Sequence, residues 1–374
     1  MHLLWYFSFG VYITLGGLEM KDYGKLISVK RQSVPTPKSL VDNGIAVFGT
    51  FDKEFEQMDL RSLKHPVSKM YPNFLNKLRL TLWEATEVHL DNGVLLAVVC
   101  DMGIFGMILN VFFDKKTKKV YSWTNNLPSS KTTIAPNLIN GSIAEAYTKD
   151  SSIKYINHFE IGKCSLEGQS QSEKSGKIGY KFALERVSLP SIVSIPFGKN
   201  KPLYSQKDLF KVTGFLDING SHFETTDTTT AIIDDHRGYY PYRQHYDWLT
   251  TMGKPIIDGK PQYFAFNLTR NQSLDQEEYN ENLIWFENKI SLLPPVKFEH
   301  DTSGNIWKVK DDHDMVNITF EIDDRFKMVV HPLVLRIDYF VTFGEINGYI
   351  RDLNGKKYIL DGMIGIGEDK TLRF

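Results

Sequence analysis

Short apolar runs that end in turn residues most narrowly constrain what this 374-residue chain can fold into. In residues 78–82, leucine alternates with polar or charged residues, which is the period-two pattern of a half-buried strand. Residues 94–100 and 107–113 are nearly continuous apolar runs of strand length. The second run is followed by the polar turn 114–119 and then by Val-Tyr-Ser-Trp at 120–123, so this part of the chain predicts an antiparallel hairpin.

Two Asn-Gly pairs, Asn219–Gly220 and Asn354–Gly355, are each flanked by strand-like sequence. Both residues of such a pair readily adopt the positive φ angles of a type I′ turn, so each pair predicts a two-residue β-hairpin. No stretch combines a sustained apolar period of 3.6 with a capped start and a glycine stop, and only residues 275–283 could form a helical turn or two. Many short strands with little helix predict an all-β fold, either a barrel or a sandwich.

The length of the chain favours two domains, because 374 residues exceed the usual size of a single core. Residues 198–202, Gly-Lys-Asn-Lys-Pro, have the composition of a linker and lie near the middle of the chain. The sequence therefore predicts one β domain over residues 20–198 and a second over residues 199–374.

A run without charged side chains, residues 3–18, precedes these domains. It is shorter than the roughly 20 residues that span a bilayer, and it lacks the basic residues and the cleavage pattern of a signal peptide. Met20 begins a charged segment, so residues 1–19 are either a hydrophobic N-terminal segment or the result of a start codon assigned too early at Met1. We expect a cytoplasmic protein, and the alternative is an exported or membrane-anchored one if the run is a real signal or anchor.

Composition argues against several classes of partner. Lys and Arg total 44 against 45 Asp and Glu, a balance that offers no basic surface for nucleic acid or for an anionic membrane. Cys100 and Cys164 have no Cys-x-x-Cys spacing, and the glycine-rich residues 362–367 are not followed by the helix pattern that a phosphate-binding loop needs. We expect no nucleic-acid partner, no firm membrane association and no cofactor, and the sequence leaves the oligomeric state open.

The densest collection of functional residue types is the segment 234–248, Asp-Asp-His-Arg-Gly-Tyr-Tyr-Pro-Tyr-Arg-Gln-His-Tyr-Asp-Trp. It can be a strand end and corner, in which Asp235 pairs with Arg237 or Arg243 and the tyrosines bury their rings. It can equally be the wall of a ligand site, where acids, bases and aromatic rings converge on a pocket. His236 and His245 lack the spacing of a standard zinc or iron site, so we expect no metal.

Three polar residues further along the chain have the same two interpretations. Asn267 and Asn282 lie next to apolar residues in strand-like sequence, and Glu368 follows the glycine-rich residues 362–367. Each of them either satisfies nearby backbone groups or faces a barrel interior and hydrogen-bonds a ligand.

The residues from Asp235 to Arg243, with Trp248 after them, resemble the signature of the domain of unknown function 2804 family. The resemblance continues through Asn267, Asn282, Phe343-Gly344-x-x-Asn347-Gly348-Tyr349 and Asp361-Gly362-Met363-Ile364-Gly365 with Glu368. It is strong over the C-terminal half and weak over the N-terminal half. Tyr240, Gln244 and Tyr246 depart from the residues that are usual in the family, so stacking and hydrogen bonding in a shared pocket can differ in this chain.

The family has no assigned activity, so the resemblance implies no catalytic residue. It does imply an architecture similar to that of calycin-like proteins, a group that includes carotenoid hydratase and AttH-like proteins built from paired lipocalin-like barrels. On this basis we predict two lipocalin-like antiparallel β-barrel domains packed together, and we expect an apolar small molecule as the partner.

Our leading hypothesis is the binding of a hydrophobic molecule, lipid-like or isoprenoid-like, in a barrel or in a cavity between the barrels. In this hypothesis aromatic rings line the mouth of the cavity and polar groups meet the polar end of the ligand. The predicted ligand-binding residues are Arg237, Tyr239, Tyr240, Arg243, Trp248, Asn267, Asn282 and Glu368.

The alternative is an enzyme that hydrates or isomerises a double bond in such a molecule. Asp235 would be the acid, with a pKa raised by burial, and Tyr242 or His245 would orient water. The pairing of Asp235 separates the two hypotheses, because an Asp235 paired with an arginine stays ionised and serves structure or binding. A third possibility, a purely structural or interaction module, would expose an apolar edge and have no cavity.

Overall fold

The computed structural model describes residues 21–28, 30–331 and 336–373. The uncharged run 3–18 and the two candidate start positions, Met1 and Met20, lie outside these residues. Helix within the described residues is confined to α1 (Tyr23–Ser28), α2 (Asn73–Lys77) and three 3-10 turns at Leu60–Ser62, Ser129–Lys131 and Phe159–Ile161. Neither α1 nor α2 has the length and apolar character needed to cross a membrane.

Strands make up most of the described chain. The strands up to residue 239 are, in chain order, β1 (Ser33–Val34), β2 (Val41–Asp42), β3 (Ile45–Ala46), β4 (Gly49–Phe51), β5 (Leu80–His89), β6 (Gly93–Asp101), β7 (Phe105–Asp114), β8 (Lys119–Pro128), β9 (Thr132–Thr133), β10 (Ser142–Tyr147), β11 (Ser151–His158), β12 (Lys163–Ser172), β13 (Gly176–Arg186), β14 (Ser191–Pro196), β15 (Pro202–Ile218), β16 (Ser221–Glu224) and β17 (Thr230–Tyr239).

The strands after residue 239 are β18 (Arg243–Gly253), β19 (Ile256–Ile257), β20 (Lys260–Pro261), β21 (Phe264–Arg270), β22 (Leu283–Phe286), β23 (Lys289–Leu292), β24 (Lys297–His300), β25 (Ile306–Lys310), β26 (Val316–Val330), β27 (Arg336–Arg351) and β28 (Lys357–Arg373).

The first sheet has a main path of β8-β7-β6-β5-β17-β15-β13-β12-β11-β10-β9. It curls until its two ends approach each other. Trp123 of β8 donates through Nε1 to the carbonyl oxygen of Gly176 at the start of β13 (2.9 Å), and Asn125 donates to Ser151 Oγ (2.5 Å). The result is a nearly closed barrel.

Strand β6 is buried on both faces, which explains why residues 94–100 are apolar without interruption. Leu95, Ala97 and Val99 belong to the apolar cluster inside the barrel. Leu96 and Val98 belong to the cluster between the two sheets. Because side chains alternate along a strand, one apolar run supplies both layers.

The second sheet, a half-barrel, has the order β23-β22-β21-β18-β28-β27-β26-β25-β24. An apolar cluster that includes Trp307, Phe320 and Tyr358 packs on one of its faces, together with Tyr23 of α1. The other face packs against the outside of the first barrel. The three long strands β26, β27 and β28 provide most of this second face.

Aromatic stacking and backbone hydrogen bonds join the two sheets. Phe113 of β7 stacks on Phe343 of β27, with ring centroids 5.3 Å apart. The backbone N–H of Val120 donates to Asp324 Oδ2 (2.9 Å). The predicted fold class is therefore confirmed: the protein is all-β, with two lipocalin-like antiparallel barrel domains packed together, one nearly closed and one open.

The two Asn-Gly predictions have different outcomes. Asn219 (φ 50°) and Gly220 (φ 85°) connect β15 to β16 as the predicted two-residue turn. At the second pair only Gly355 has a positive φ (80°), and the loop between β27 and β28 spans residues 352–356. The predicted turn type is wrong there because Asp352 accepts the N–H groups of Asn354 and Gly355 with its side chain and its carbonyl, which makes a wider turn.

The change from one sheet to the other does not coincide with the predicted boundary after residue 198. Residues 197–201 form the turn between the paired strands β14 and β15, closed by a hydrogen bond from Phe197 N to Lys201 O (2.9 Å). The chain leaves the first sheet at Tyr239 and enters the second at Arg243. Gly, Lys, Asn and Pro suit a hairpin turn as well as a linker, and the division into domains after residue 198 stays a prediction. Residues 275–283, a possible helical turn, lie in a turn segment without helix.

Candidate functional site

The segment 234–248 carries the chain from one sheet to the other. Its first part ends β17 of the first barrel, residues 240–242 cross over, and its second part begins β18 of the second sheet. Side chains alternate between the two faces of β17, so consecutive residues enter different environments. This alternation divides the polar residues of the segment into a structural group and a cavity group.

The structural group contains Asp235 and Arg237. Arg237 donates through Nε and Nη2 to the two carboxylate oxygens of Asp235, at 2.7 and 2.9 Å, and through Nη1 to the carbonyl oxygen of Ala135 (2.6 Å). The Asp235 side chain is fully buried and that of Arg237 is 3% exposed. This two-point ion pair with an arginine is the arrangement expected for a structural or binding role of Asp235. The geometry therefore argues against Asp235 as a proton donor.

Glu84 of β5 lies beside this ion pair, and its pKa depends on the charges of the pair. Burial and the charge of Asp235 raise the pKa of Glu84 to about 8, while Asn157 and Arg237 oppose the shift. Asn157 Nδ2 donates to Glu84 Oε1 (2.9 Å). Tyr239, the next residue on this face of β17, donates its hydroxyl to the carbonyl oxygen of Leu60 (3.3 Å). The structural group thus ties β17 to its neighbours.

The cavity group contains Asp234 and His236 and centres on the buried ammonium of Lys207. Lys207 Nζ lies 3.2 Å from Asp234 Oδ1 and 2.5 Å from Glu281 Oε2. It also lies 2.9 Å from His236 Nε2 and donates to Ser205 Oγ (2.9 Å). Burial acts against ionising Glu281, but the charge of Lys207 outweighs it and holds the pKa of Glu281 far below its usual value. The ammonium of Lys207 therefore contacts two carboxylates and one imidazole.

A small cavity, which we call the junction cavity, opens beside this charged group. The space open to the centre of a water-sized sphere is about 20 Å³, which is room for about one water molecule. Its walls come from both sheets and from the crossing segment. The apolar and aromatic wall consists of Trp83, Phe197, Leu203, Tyr240, Tyr246 and Trp248, and the polar wall consists of Asp234, His236, Gln244, Thr269, Asn271, Glu281 and Glu368.

Glu368 of β28 is the carboxyl group on the second-sheet side of the junction cavity. Its two oxygens accept hydrogen bonds from the hydroxyls of Tyr246 (2.7 Å) and Tyr339. Burial raises the pKa of Glu368, against the opposing effects of Lys370 and the two tyrosines. Glu87 of β5, also buried, has a pKa raised well above its usual value by burial and by the charges of Asp234 and Glu368. The cavity is therefore bordered by the ion pairs of Lys207 on one side and by a buried carboxyl group with a raised pKa on the other.

The structure places the other predicted site residues in several environments. Tyr242 is 52% exposed, and Arg243 and His245 are also exposed at the start of β18. Asn267 accepts the indole N–H of Trp248 (2.6 Å) and donates to Thr269 Oγ1 and to the carbonyl oxygen of Glu281.

Asn282 is likewise occupied by protein groups. Its Oδ1 accepts the backbone N–H of Thr269 (2.7 Å), and its Nδ2 donates to the carbonyl oxygen of Pro294 (2.9 Å). Asn267 and Asn282 thus organise the strands behind the cavity. Of the predicted ligand-binding residues, the structure brings Tyr240, Trp248 and Glu368 to the cavity wall.

A group of histidines and carboxylates lies on the opposite side of β18. Ligand atoms of His245, Asp247 and Asp369 all lie within 4.8 Å of one another, and His300 Nε2 lies 3.2 Å from Asp247 Oδ1. Burial acts against ionising Asp247, but the two histidines outweigh it and lower the pKa of that carboxyl. These separations suit a metal ion and suit an ion-pair network equally, and none of the four residues lines the junction cavity.

The sequence analysis did not identify three residues as part of the site: Trp83, Lys207 and Glu281. The ring of Trp83 stacks on His236, with centroids 5.5 Å apart, because the two residues are register partners across β5 and β17. Lys207 lies within residues 202–210 of β15, a stretch that is buried throughout, and a charged residue within a strand is the signal in the sequence that could have drawn attention to it. Glu281 gave no such signal.

The fold and the site together define a double-barrel, lipocalin-like protein with a cavity where its two sheets meet. The chain belongs to the family described as "Domain of unknown function (DUF2804)", which matches residues 31–374. This match confirms the resemblance found in the sequence. No curated protein sequence matches this chain.

The solved structures that are similar to this chain include a hydratase and a putative AttH protein. Kievitone hydratase from Nectria haematococca has 11% sequence identity and a TM-score of 0.45, over 83% of this chain and 93% of that one. A putative AttH from Nitrosomonas europaea has 9% identity and a TM-score of 0.44, over 78% of this chain and 92% of that one.

Proposed function

We propose that this protein binds a hydrophobic small molecule, lipid-like or isoprenoid-like, in the junction cavity. The observation that carries this proposal is the combination of aromatic walls with one buried polar atom of the cavity lining that has no partner among the described residues. Gln244 Oε1 is buried and has no hydrogen bond within the described parts of the chain. A buried acceptor without a donor costs about 1–3 kcal/mol, and a ligand hydroxyl would satisfy it.

The filling of the first barrel supports a site between the sheets over one inside that barrel. Trp123, Tyr155 and Phe182 are among the fully buried side chains of its interior cluster. A packed interior of this kind leaves no space for a ligand without large rearrangement. In the junction cavity, Trp83 and Tyr240 lie at the boundary of existing space, and the proposal requires these rings to move when the ligand enters.

Native mass spectrometry of the full chain, followed by extraction and by titration with farnesol, tests this proposal. We expect an apolar molecule to co-purify and farnesol to displace it. A Gln244→Leu variant should bind farnesol about tenfold more weakly, because it removes the acceptor for the hydroxyl, and should bind the corresponding hydrocarbon farnesene unchanged.

The exposed Gln57 provides the matched control. Gln57→Leu should bind both molecules as the wild type does. A protein that carries no apolar molecule and binds neither farnesol nor farnesene would refute the proposal.

A second candidate function, acid-assisted hydration or isomerisation of a double bond, is favoured by one specific observation. Glu368 borders the junction cavity, and burial raises its pKa, which makes it a better proton donor than an ordinary carboxylate side chain. Asp234 and His236 border the same cavity. Glu368 would transfer its proton to one alkene carbon, water would add to the other carbon, and the water proton would pass to His236 or Asp234, which restores charge balance. Glu368 replaces Asp235 as the acid in this hypothesis.

Incubation with C10 to C20 isoprenoid alcohols in ¹⁸O-labelled water, read by mass spectrometry, tests the second candidate. Turnover should fall at least about 100-fold in Glu368→Gln while ligand binding persists. Glu321→Gln, a change at an exposed position of β26, is the control and should turn over normally. Bound ligand without any mass gain in the wild type would leave binding as the function and exclude hydration of these alcohols.

A further inference from the structure

Lys370 is a second buried lysine, and its surroundings differ from those of Lys207. It lies on β28 two residues after Glu368, on the same face of the strand. Its ammonium lies 4.2 Å from the centre of the Trp83 ring, 4.9 Å from that of Tyr339 and 5.6 Å from that of Tyr246. Within the described ranges, no hydrogen-bond acceptor or carboxylate pairs with its Nζ at ion-pair distance.

A second cavity, which we call the lysine cavity, lies next to this ammonium between the two sheets. Its volume, measured as for the junction cavity, is about 40 Å³. Apart from Lys370 and the hydroxyl of Tyr339, its lining is apolar and rich in methionine, with Met102, Met107 and Met328 among its residues. Methionine side chains adapt their shape easily, which suits a cavity that accepts a flexible chain.

The lysine cavity has a neighbouring space on each of two sides, the surface groove and the junction cavity. Phe105, Met328 and Ile337 line it and also line an open apolar groove of about 520 Å³ on the surface, a volume within the usual range of small-molecule sites. On the other side, Trp83 separates the lysine cavity from the junction cavity, since it lines both. Groove, lysine cavity and junction cavity therefore follow one another along the interface between the sheets.

An ammonium buried without an anion is energetically unfavourable. Cation–π contacts with three rings offset part of the lost hydration, but they do not neutralise the charge. Burial lowers the pKa of Lys370, and the neighbouring Glu368 only partly opposes this. Burial likewise raises the pKa of the neighbouring Glu368, and the lining of the lysine cavity supplies no carboxylate to pair with Lys370.

We propose that the lysine cavity and the groove bind a monocarboxylate with an apolar chain, whose carboxylate pairs with Lys370 and whose chain extends toward Phe105 and Met328. This inference rests on the proposed function and narrows the ligand to a fatty-acid-like class. The carboxylate end lies beside Trp83, so the functional group of the ligand is next to the junction cavity and to Glu368. An apolar alcohol of the same length would fill the same space without pairing with the ammonium.

Isothermal titration of the full chain with dodecanoate and with dodecanol tests the inference. We expect dodecanoate to bind the wild type at least tenfold more tightly, because a charge-assisted hydrogen bond distinguishes the two molecules. In Lys370→Met, dodecanoate should lose about 10- to 100-fold in affinity and dodecanol should bind as before. Methionine matches the length of lysine and suits the apolar lining; Lys370→Gln serves as a second variant if the first does not fold.

Lys327 lies on the groove and provides a matched control. Lys327→Met should leave the preference for dodecanoate unchanged, and a preference lost with Lys327 would place the carboxylate at the outer end and overturn the inference. Equal affinities for the two molecules in the wild type, or a preference that survives in Lys370→Met, would also overturn it while leaving the proposed function intact. Binding of neither molecule would overturn the inference, and the farnesol and farnesene titrations decide the proposed function separately.

Discussion

Breaking the buried pair of Asp235 and Arg237 distinguishes a structural from a catalytic role for this part of the family signature. Both side chains are essentially excluded from solvent and are joined by two hydrogen bonds of 2.7 and 2.9 Å. Removing one partner of such a pair costs about 3–5 kcal/mol, because the other charge is left buried and unpaired. Arg237→Met should fall at the upper end of this range, since it also leaves the carbonyl oxygen of Ala135 without its donor.

Asp235→Asn should cost less than Arg237→Met. The charge of Asp235 is one of the causes that raise the pKa of Glu84 to about 8. Once that charge is removed, Glu84 can ionise and compensate Arg237, so we expect a loss of only about 1–3 kcal/mol. The double variant Asp235→Leu with Arg237→Met, which removes both charges, should be more stable than Arg237→Met alone.

Urea unfolding followed by tryptophan fluorescence and by circular dichroism measures these differences. With a slope of about 3 kcal/mol per molar urea, Arg237→Met should lower the midpoint by about 1 M or more. The exposed pair Lys38 and Glu56, 3.5 Å apart, provides a control that should show no measurable effect. The reasoning is refuted if Asp235→Asn unfolds like the wild type yet abolishes turnover of a substrate, because Asp235 would then be a catalytic acid.

Three further predictions concern stability. Glu84 has a folded-state pKa of about 8, above its value of about 4.5 in an unfolded chain. The wild-type free energy of unfolding should therefore decrease as pH rises from about 4.5 to 8. In urea titrations Glu84→Gln should flatten this pH dependence, and a variant with the same pH dependence as the wild type would contradict the assignment. Gly214 has a φ of 137°, and an added Cβ would lie 2.0 Å from a backbone carbonyl oxygen. Gly214→Ala should therefore lower the free energy of unfolding by about 3 kcal/mol or more. Gly220→Ala, whose Cβ meets open space, should lower it by about 1 kcal/mol. Arg31 donates through Nη1 to the side chain of one asparagine and to the backbone carbonyl of another, both at 2.7 Å, so thermal melts should show Arg31→Met destabilised by about 2–3 kcal/mol and the exposed Lys30→Met unaffected.

Local physical chemistry made much of the first level of structure predictable. The alternation in residues 78–82 and the uninterrupted run 94–100 led to β5 and β6 because strand periodicity is a property of the chain itself. Asn219–Gly220 led to its turn for the same reason, since the φ angles of the turn are available to those two residues alone. The Asn354–Gly355 turn was misjudged because the side chain of Asp352 competes for its backbone groups.

The candidate site was only partly predictable. Tyr240, Trp248 and Glu368 were recognised by residue type and by the family resemblance, and they line the junction cavity. The sequence could not show which of Asp234 and Asp235 faces the cavity. Side chains alternate along a strand, so the two residues point to opposite faces, but the alternation does not reveal which face borders the cavity. Lys207 lies on β15 and Glu281 lies in the loop before β22, and the two acquire their roles only through contact with each other and with Asp234 and His236.

By itself, the sequence determined that this chain forms many antiparallel strands, and its signature residues placed it in a family. Only the tertiary structure decided which acid is paired and which faces a cavity, because those states depend on what lies across the sheet. The segment 234–248 shows this directly: every residue in it was visible in the sequence, but its burial, ion pairs and pKa values depend on residues far away in the chain, such as Glu84, which lies 151 residues before Asp235. Strand formation is a local property, whereas the charge state of a buried group is set by the three-dimensional surroundings that the fold assembles.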